Sequence, residues 1–264
     1  MRSLLSNLDS SAIRRDPFPY IVASNVMDAT DYAELAAHFP TLVRLTWAGA
    51  ETRPPNNRRF ALPADVILSA PDMPSCWKAF AEYHSSSQLL AEISNLFQGD
   101  WDSELLAVLG GSLTGHKTAR LSLSATPEPD TVILQDARIE INTPVLNVSS
   151  SVRGPHLDTP NRLFSGLFYL RAEDDDSEGG DLVLYRWCQA PPLSIDVHEL
   201  PAAAVKEAVR IPYRANQLVL FPQGIRAVHG VSPRHPTPHC RRYVFFTAEL
   251  TQDWMKAPIP DEVI

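Results

Sequence analysis

Two stretches in the N-terminal part of the chain place apolar side chains at helical spacing. Segment 28–39, DATDYAELAAHF, has an acidic and hydroxyl-bearing start followed by such a stripe, which predicts an amphipathic helix. A longer stretch, about 72–97, predicts two helices that meet near its serine cluster. Segment 47–63, WAGAETRPPNNRRFALP, shows no periodicity and carries prolines and paired polar residues, so we expect a loop there.

Beyond residue 130 the pattern changes to short runs rich in β-branched and aromatic residues, separated by Gly, Pro, Asn or Asp. These runs are TVILQDARIEI (131–141), PVLNVSSSV (144–152), LFSGLFYLR (163–171), GDLVLYRW (180–187), NQLVLFP (216–222), IRAVHGV (225–231) and RRYVFFTAEL (241–250). Such a series of strands predicts a sandwich or double-sheet jelly roll, with the earlier helices packed on one outer face. Segment 198–209, HELPAAAVKEAV, is predicted to be an inserted helical surface element, and the acid-rich AEDDDSEGGD before 182 a solvated turn.

The predicted fold class is therefore mainly β with flanking α-helices. We expect one catalytic domain over 1–264, with a helix-rich part at about 1–125, a jelly-roll core at about 126–250 and a C-terminal tail at 251–264. A chain of 264 residues with 44% hydrophobic and 20% charged residues can bury such a core.

Charge and composition exclude several classes of function. A net charge of -8 disfavours a nucleic-acid surface, which needs a basic stripe. No apolar run is long enough for a membrane span, and the first residues lack the apolar core of a signal peptide, so we expect a soluble cytoplasmic protein. Three cysteines without C-x-x-C spacing indicate neither a disulfide framework nor a thiolate zinc site.

A histidine and an aspartate lie two positions apart in GPHLDTPN, at the edge of a predicted strand. In an extended chain His156 and Asp158 point to the same face, so both can reach one metal ion. One H-x-D match is weak evidence alone, but His229 lies in a strand-like segment further along. Two histidines and one carboxylate leave adjacent positions open on an octahedral ion, as non-haem Fe(II) oxygenases require.

The ordered set HLDTPN, SGLFYLR, EGGDLVLY, NQLVLFP, VHGVSP and RRYVFF resembles the Fe(II)- and 2-oxoglutarate-dependent dioxygenases, in the branch that includes the prolyl hydroxylases. The opening 16–40 is also similar to the way many members begin. The resemblance implies a double-stranded β-helix (jelly-roll) core and a ligand set of His156, Asp158 and His229 for iron. It further implies that a basic residue on the last core strand, best matched by Arg242, binds the far carboxylate of 2-oxoglutarate, with help from Tyr169.

The choice of this arginine stays open, because the spacing after His229 is longer than usual in the family. Arg241 and Arg234 are the alternatives. Strand alternation lets only one of Arg241 and Arg242 face the interior, and we favour Arg242.

Two further polar groups are candidates for the pocket wall. The set Arg138, Glu140 and Asn142 alternates along ARIEIN and lines the pocket if that face is interior; a solvated sheet edge is the expected alternative. A second set, Arg53, Arg58 and Arg59, would meet an anionic substrate if its loop overhangs the pocket, although exposed arginines are common.

The resemblance implies an oxygenase that uses Fe(II), 2-oxoglutarate and O₂, with ascorbate as an admissible auxiliary. The expected reaction is hydroxylation of an unactivated C–H bond of a small molecule, such as an amino acid or biosynthetic intermediate. A peptidyl, prolyl-type hydroxylase is the alternative. Two alternatives belong to other classes of protein: a non-catalytic metal-binding jelly-roll sensor, and a zinc hydrolase with the same three ligands. A zinc hydrolase needs a general base, and no glutamate flanks His156 or His229. The sequence does not indicate the oligomeric state.

Overall fold

The computed structural model describes residues 2–46, 55–189, 191 and 200–255. The strands are β1 (Ile21–Ser24), β2 (Arg59–Leu62), β3 (Thr118–Arg120), β4 (Ile133–Asn142), β5 (Arg162–Tyr169), β6 (Leu182–Trp187), β7 (Val205–Ile211), β8 (Gln217–Pro222), β9 (His229–Val231) and β10 (Arg241–Leu250). The helices are α1 (Ala29–Ala37), α2 (Leu42–Leu45), α3 (Ala64–Ser69), α4 (Ser75–His84), α5 (Ser87–Leu96) and α6 (Ser103–Val108), with 3-10 turns at Ser10–Ala12 and Ala202–Ala204.

The larger sheet runs in the order β1-β8-β5-β10-β4-β2, and β3 adds to β4 in parallel. β4 and β10 pair antiparallel along their full lengths, from Arg241 opposite Asn142 to Leu250 opposite Ile133. The smaller sheet has the order β7-β6-β9. The predicted fold class is confirmed: two β-sheets form a jelly-roll core, and helices cover one outer face.

The two faces of the larger sheet pack against different partners because side chains alternate along each strand. On the helix side, Phe168 stacks on Phe80 of α4 with 5.9 Å between ring centroids, and Phe246 lies near His84. On the inner side, Tyr169 and Tyr243 join a second apolar cluster that reaches the smaller sheet. The inner face is therefore the one that can carry a site between the sheets.

Several local predictions are confirmed. The helix predicted over 28–39 is α1, whose N-cap Asp28 accepts a hydrogen bond from the Thr30 amide. The stretch 72–97 forms α4 and α5, which meet at the serine cluster. Predicted strands become β4, β5, β6, β8, β9 and β10.

Other local predictions are wrong for identifiable reasons. The described part of 198–209 has only the 3-10 turn Ala202–Ala204 and no longer helix, because Val205–Ile211 pairs with β6 and completes the smaller sheet. Segment 144–152 forms no strand and makes only isolated bridges, Val145 to Thr237 and Ser150 to Arg234. The described end of the predicted loop 47–63 contains β2, which adds to the edge of β4.

Parts of some predictions lie outside the described residues. These are the start of the predicted loop, 47–54, most of 190–199, and the predicted tail from residue 256 onward. Among the residues that the structure describes, no helix has the length and apolar character to cross a membrane.

Candidate metal centre and co-substrate pocket

Main-chain pairing brings the two histidines of the predicted ligand set together. The His156 amide donates to the His229 carbonyl oxygen at 2.8 Å, and the His229 amide donates back to the His156 carbonyl oxygen at 3.0 Å. Residues opposite each other in an antiparallel pair project their side chains to the same face. The two imidazole rings accordingly lie 4.4 Å apart, centroid to centroid.

Asp158 completes the group because it follows His156 by two positions in an extended segment. Its Oδ1 lies 3.8 Å from His156 Nε2, and its Oδ2 lies 3.7 Å from His229 Nε2. One ligand atom from each residue falls within 4.8 Å of the others, and all three side chains are buried. The structure thus gathers the three predicted ligand residues around one point.

The hydrogen bonds of the two rings leave the correct nitrogens for a metal. Nδ1 of His156 lies 2.7 Å from the Gly154 carbonyl oxygen, and Nδ1 of His229 lies 2.9 Å from the Ala227 carbonyl oxygen. A carbonyl only accepts, so each Nδ1 carries the proton and donates, and each Nε2 keeps its lone pair. Burial lowers the pKa of both histidines, and their neutral forms are the ones that ligate.

Neighbouring side chains hold Asp158 in its ionised form. Ser165 Oγ donates to Oδ2 at 2.6 Å, and Gln223 Nε2 donates to the same oxygen at 3.0 Å. Arg153 Nη1 lies 3.5 Å from Oδ1. Burial by itself raises the pKa of Asp158, but nearby positive charge and the Ser165 hydrogen bond outweigh it and hold the pKa below its ordinary value.

The three residues line a cavity of about 160 Å³ between the sheets. Its wall is rich in ionic side chains. The lining arginines are Arg59, Arg138, Arg153, Arg162 and Arg241, and the acids are Glu140 and Asp158. Aromatic surface comes from Tyr243 and Phe245.

The model of the 2OG-Fe(II) oxygenase superfamily matches residues 145–247, which contain the whole ligand group. Residues 145–247 carry a 2OG-Fe(II) oxygenase domain. Enzymes of this family use Fe(II), 2-oxoglutarate and O₂, and the ligand types and free Nε2 positions described above fit Fe(II).

Solved structures of similar fold include oxygenases with different substrates, whereas no curated protein matches the chain. A prolyl 4-hydroxylase structure from Phytophthora capsici is 16% identical at a TM-score of 0.46; the match covers 88% of this chain and 59% of that one. The carbocyclase SnoK from nogalamycin biosynthesis is 13% identical at a TM-score of 0.49, with 100% and 92% covered. A 2OG-Fe(II) oxygenase family protein from Burkholderia pseudomallei is 11% identical at 0.44, with 91% and 88% covered.

The expectation that Arg242 faces the interior of the oxygenase is wrong. The Arg242 guanidinium lies over Phe39 on the helix side of the sheet, 5.1 Å from the ring centroid. Arg241 lines the cavity instead and is 1% exposed. Alternation limits the choice to one of the two, but the pairing of Arg241 with Asn142 on β4 decides which one.

The Arg241 guanidinium lies among three tyrosine rings, 4.9 Å from the centroid of Tyr169, 5.1 Å from Tyr213 and 4.8 Å from Tyr243. Its Nε donates to the Gly180 carbonyl oxygen at 2.9 Å. Its Nη2 and the Tyr169 hydroxyl are buried without a hydrogen bond of ordinary geometry. Tyr169 therefore lies beside the buried Arg241, and its part in binding 2-oxoglutarate stays a prediction.

The third arginine candidate, Arg234, has another set of contacts. Its Nη1 donates to the Thr143 carbonyl oxygen at 3.1 Å, and its Nη2 donates to the His239 carbonyl oxygen at 2.7 Å. These bonds fasten Arg234 to two loops, and its side chain is not part of the cavity lining.

The expectation of a solvated sheet edge for Arg138, Glu140 and Asn142 is wrong, because all three line the cavity. β4 pairs with β10 on one side and with β2 on the other, so neither of its edges is free. Of the loop arginines, Arg59 lines the cavity and Arg58 does not, while Arg53 lies outside the described residues.

Sequence reasoning missed Ser165, Gln223, Arg153 and Arg162, which surround Asp158 or the cavity. The only sequence signal for Ser165 and Arg162 is their place at the start of the strand that follows the H-x-D pair. Gln223 directly follows β8, and only the pairing of β8 with β5 brings it to Asp158.

Proposed function

We propose that this oxygenase hydroxylates an unactivated C–H bond of a small molecule, such as an amino acid or a biosynthetic intermediate, and that His156, Asp158 and His229 bind its iron. The single observation that carries the proposal is the buried ligand group, in which both Nε2 atoms face the Asp158 carboxylate inside the cavity. When bound, Fe(II) supplies the oxidising chemistry in which 2-oxoglutarate and O₂ yield succinate, CO₂ and one hydroxyl on the substrate carbon.

In this proposal Arg241 binds the far carboxylate of 2-oxoglutarate. A guanidinium presents two parallel donors that match a carboxylate, and the buried Nη2 is available for one of them. Tyr169 is the second donor, because its hydroxyl is buried beside that guanidinium. Burial raises the pKa of Tyr169, so its hydroxyl keeps the proton that it would donate.

The remaining residues position the ligands and exclude water. Ser165 and Gln223 fix the Asp158 carboxylate, and the Gly154 and Ala227 carbonyls fix the two rings. The buried ionic lining supports a compact polar substrate that enters the cavity, because such groups need partners when water is displaced.

The test is an anaerobic titration of the purified protein with Fe(II) and then 2-oxoglutarate. We expect the weak visible charge-transfer band of the chelate, followed by slow formation of succinate when O₂ is admitted. The His229→Ala variant serves as the control and should lose both signals while keeping its fold by circular dichroism. Iron binding without the band or succinate in the native protein would instead support a non-catalytic metal-binding protein.

A further inference from the structure

Arg138 and Arg162, two arginines of the cavity wall, both lie next to the ring of Phe245. Phe245 is on β10, further along the strand than Arg241. The Arg138 guanidinium lies 4.8 Å from the centroid of the Phe245 ring, and the Arg162 guanidinium lies 5.3 Å from it. Arg138 is the residue directly opposite Phe245 in the β4–β10 register. The larger sheet therefore presents a pair of guanidinium groups and one apolar ring to the same cavity.

The described acids of the cavity wall are fewer than its arginines. Five arginines and two acids line the wall. Asp158 belongs to the ligand group and also attracts Arg153 at 3.5 Å. Glu140 is shared between Arg138, whose Nε lies 2.8 Å from Oε1, and Arg59, whose Nε lies 4.0 Å from Oε2. Among the described residues, the wall therefore carries more arginines than acids.

Among the described residues, Arg162 forms its ion pair with Glu249 and with neither acid of the cavity wall. It is 6% exposed, its Nη1 donates to the neutral Thr247 hydroxyl at 2.7 Å, and its buried Nε has no hydrogen-bond partner. The nearest carboxylate, Glu249, lies 3.5 Å from Nη2 and outside the cavity lining. A buried cation with an unused donor is costly unless a ligand provides the missing acceptor.

The acids beside Arg138 form ion pairs with that arginine. Asp136 Oδ2 lies 3.5 Å from Arg138 Nη1, and burial raises the pKa of Asp136 to about 6, so this carboxylate is lost only in mildly acidic solution. Burial is the main cause that lowers the pKa of Arg162; attraction by Asp158 opposes this shift, and repulsion by Arg138 adds to it.

We propose that Arg138 and Arg162 form an anion subsite that binds a carboxylate of the primary substrate, with the Phe245 ring packed against the adjoining carbon skeleton. This inference rests on the proposed function, since it names the substrate class of the same cavity. A fork of guanidinium donors suits a planar carboxylate, and a phosphate offers related oxygens, so the test separates the two. A substrate anchored there by its acid group would present another carbon to the metal centre.

The experiment uses protein loaded with Mn(II), a redox-inert stand-in for Fe(II), and saturating 2-oxoglutarate, so that Arg241 is already occupied. Calorimetry then measures the affinity for three probes: benzoate, benzamide and inorganic phosphate. We expect benzoate to bind at least tenfold more tightly than benzamide and than phosphate, because only the carboxylate offers a planar charged acceptor beside an apolar ring. Binding of 2-oxoglutarate itself is recorded first, and its failure would reject the proposed function independently of the subsite.

Variants assign the effect to the two arginines. Arg162→Gln and Arg138→Gln should each weaken benzoate binding about tenfold or more and leave 2-oxoglutarate affinity unchanged, whereas Arg162→Lys should restore part of the loss. Arg210→Gln on β7, where Arg210 pairs with Glu207 at the surface, is the matched control and should behave as the native protein. Thermal melting verifies the fold, and Arg138→Gln carries the test if Arg162→Gln fails to fold.

Three results would overturn the proposal. Equal affinities for benzoate and benzamide, including no binding of either, would mean that the wall does not select a negative charge. Tighter binding of phosphate than of benzoate would replace the carboxylate with a phosphate. Benzoate affinities that stay within twofold in both glutamine variants would remove these arginines from the subsite.

Discussion

Gln223 lies 65 positions beyond Asp158 in the chain, yet its side-chain amide nitrogen donates to Asp158 Oδ2 at 3.0 Å. The same nitrogen lies 3.0 Å from Ser165 Oγ, which donates to that carboxylate oxygen as well. Ser165 on β5 and Gln223, which follows the neighbouring strand β8, therefore fix one oxygen of the proposed carboxylate ligand.

Removal of the Gln223 amide should weaken metal binding. We expect Gln223→Leu, which keeps most of the side-chain volume, to lower Fe(II) affinity by about 10- to 100-fold because the Asp158 carboxylate loses a donor that orients it. Anaerobic equilibrium dialysis against a competing chelator measures the change. Gln88→Leu, at an exposed position on α5, is the control, and an equal loss in both variants would point to a general effect on the fold.

The two adjacent arginines of β10 should differ sharply in their effect on the co-substrate. Arg241→Met should raise the dissociation constant for 2-oxoglutarate by tenfold or more, since a buried charged hydrogen-bond donor is lost. Arg242→Met should change it by less than about twofold, because Arg242 packs over Phe39 on the opposite face. Growth of the chelate band during anaerobic titration with 2-oxoglutarate gives both constants, and the reverse order would return the role to Arg242.

His84 should make stability depend on pH in the mildly acidic range. Its Nδ1 lies 2.9 Å from the Phe80 carbonyl oxygen and its Nε2 accepts from the Leu4 amide, and burial lowers its pKa from 6.5 to about 4. As the pH falls from 6.5 to 4, His84 therefore binds a proton in the unfolded chain but stays neutral in the folded protein. This group's contribution to the free energy of unfolding is full above pH 6.5 and falls by about 3 kcal/mol toward pH 4.

Urea unfolding at several pH values separates this contribution from those of other groups. The stability advantage of the native protein over His84→Gln should shrink steadily between pH 7 and pH 4. His38→Gln, at an exposed position, should run parallel to the native profile. A constant difference between native protein and His84→Gln across that range would contradict the assignment.

Gly166 should tolerate no side chain while Phe246 stands beside it. A Cβ at Gly166 would lie 2.4 Å from carbons of the Phe246 ring, so Gly166→Ala overpacks the interface between β5 and β10. We expect a loss of about 1–3 kcal/mol in the free energy of unfolding, measured in urea.

A double-mutant cycle tests that cause. Phe246→Leu should relieve the clash, so that the two substitutions together cost less than their sum by more than about 0.5 kcal/mol. Phe97→Leu, in the same apolar cluster but on the helical side, should add to Gly166→Ala without such relief.

The proximity of the three predicted ligand residues could be predicted from the sequence because its geometry is local or nearly so. The H-x-D spacing alone places His156 and Asp158 on one face, and only the partner His229 needs the fold. The arginine could not be predicted in the same way. Alternation states that Arg241 and Arg242 point to opposite faces, but which face is interior depends on the register of β10 with β4 and β5.

Dependence on strand pairing also explains two wrong predictions, the helix over 198–209 and the solvated sheet edge at Arg138, Glu140 and Asn142. Segment 205–211 has no strong local preference, and its pairing with β6 satisfies its main chain as a strand. Similarly, Arg138 and Glu140 share the interior face because the register of β4 with β10 places them opposite Phe245 and Tyr243, which also line the cavity. Long-range pairing, rather than the local pattern, decides both cases.

The reciprocal main-chain bonds between His156 and His229 have a consequence for assembly of the enzyme. Because hydrogen bonds of the folded chain already join the two residues, an arriving ion need not close the long segment between them. The entropic cost of gathering the donors is met during folding rather than at metal uptake. Exchange of one divalent ion for another should therefore leave the backbone undisturbed, and occupancy would follow cellular supply and donor chemistry more than protein rearrangement.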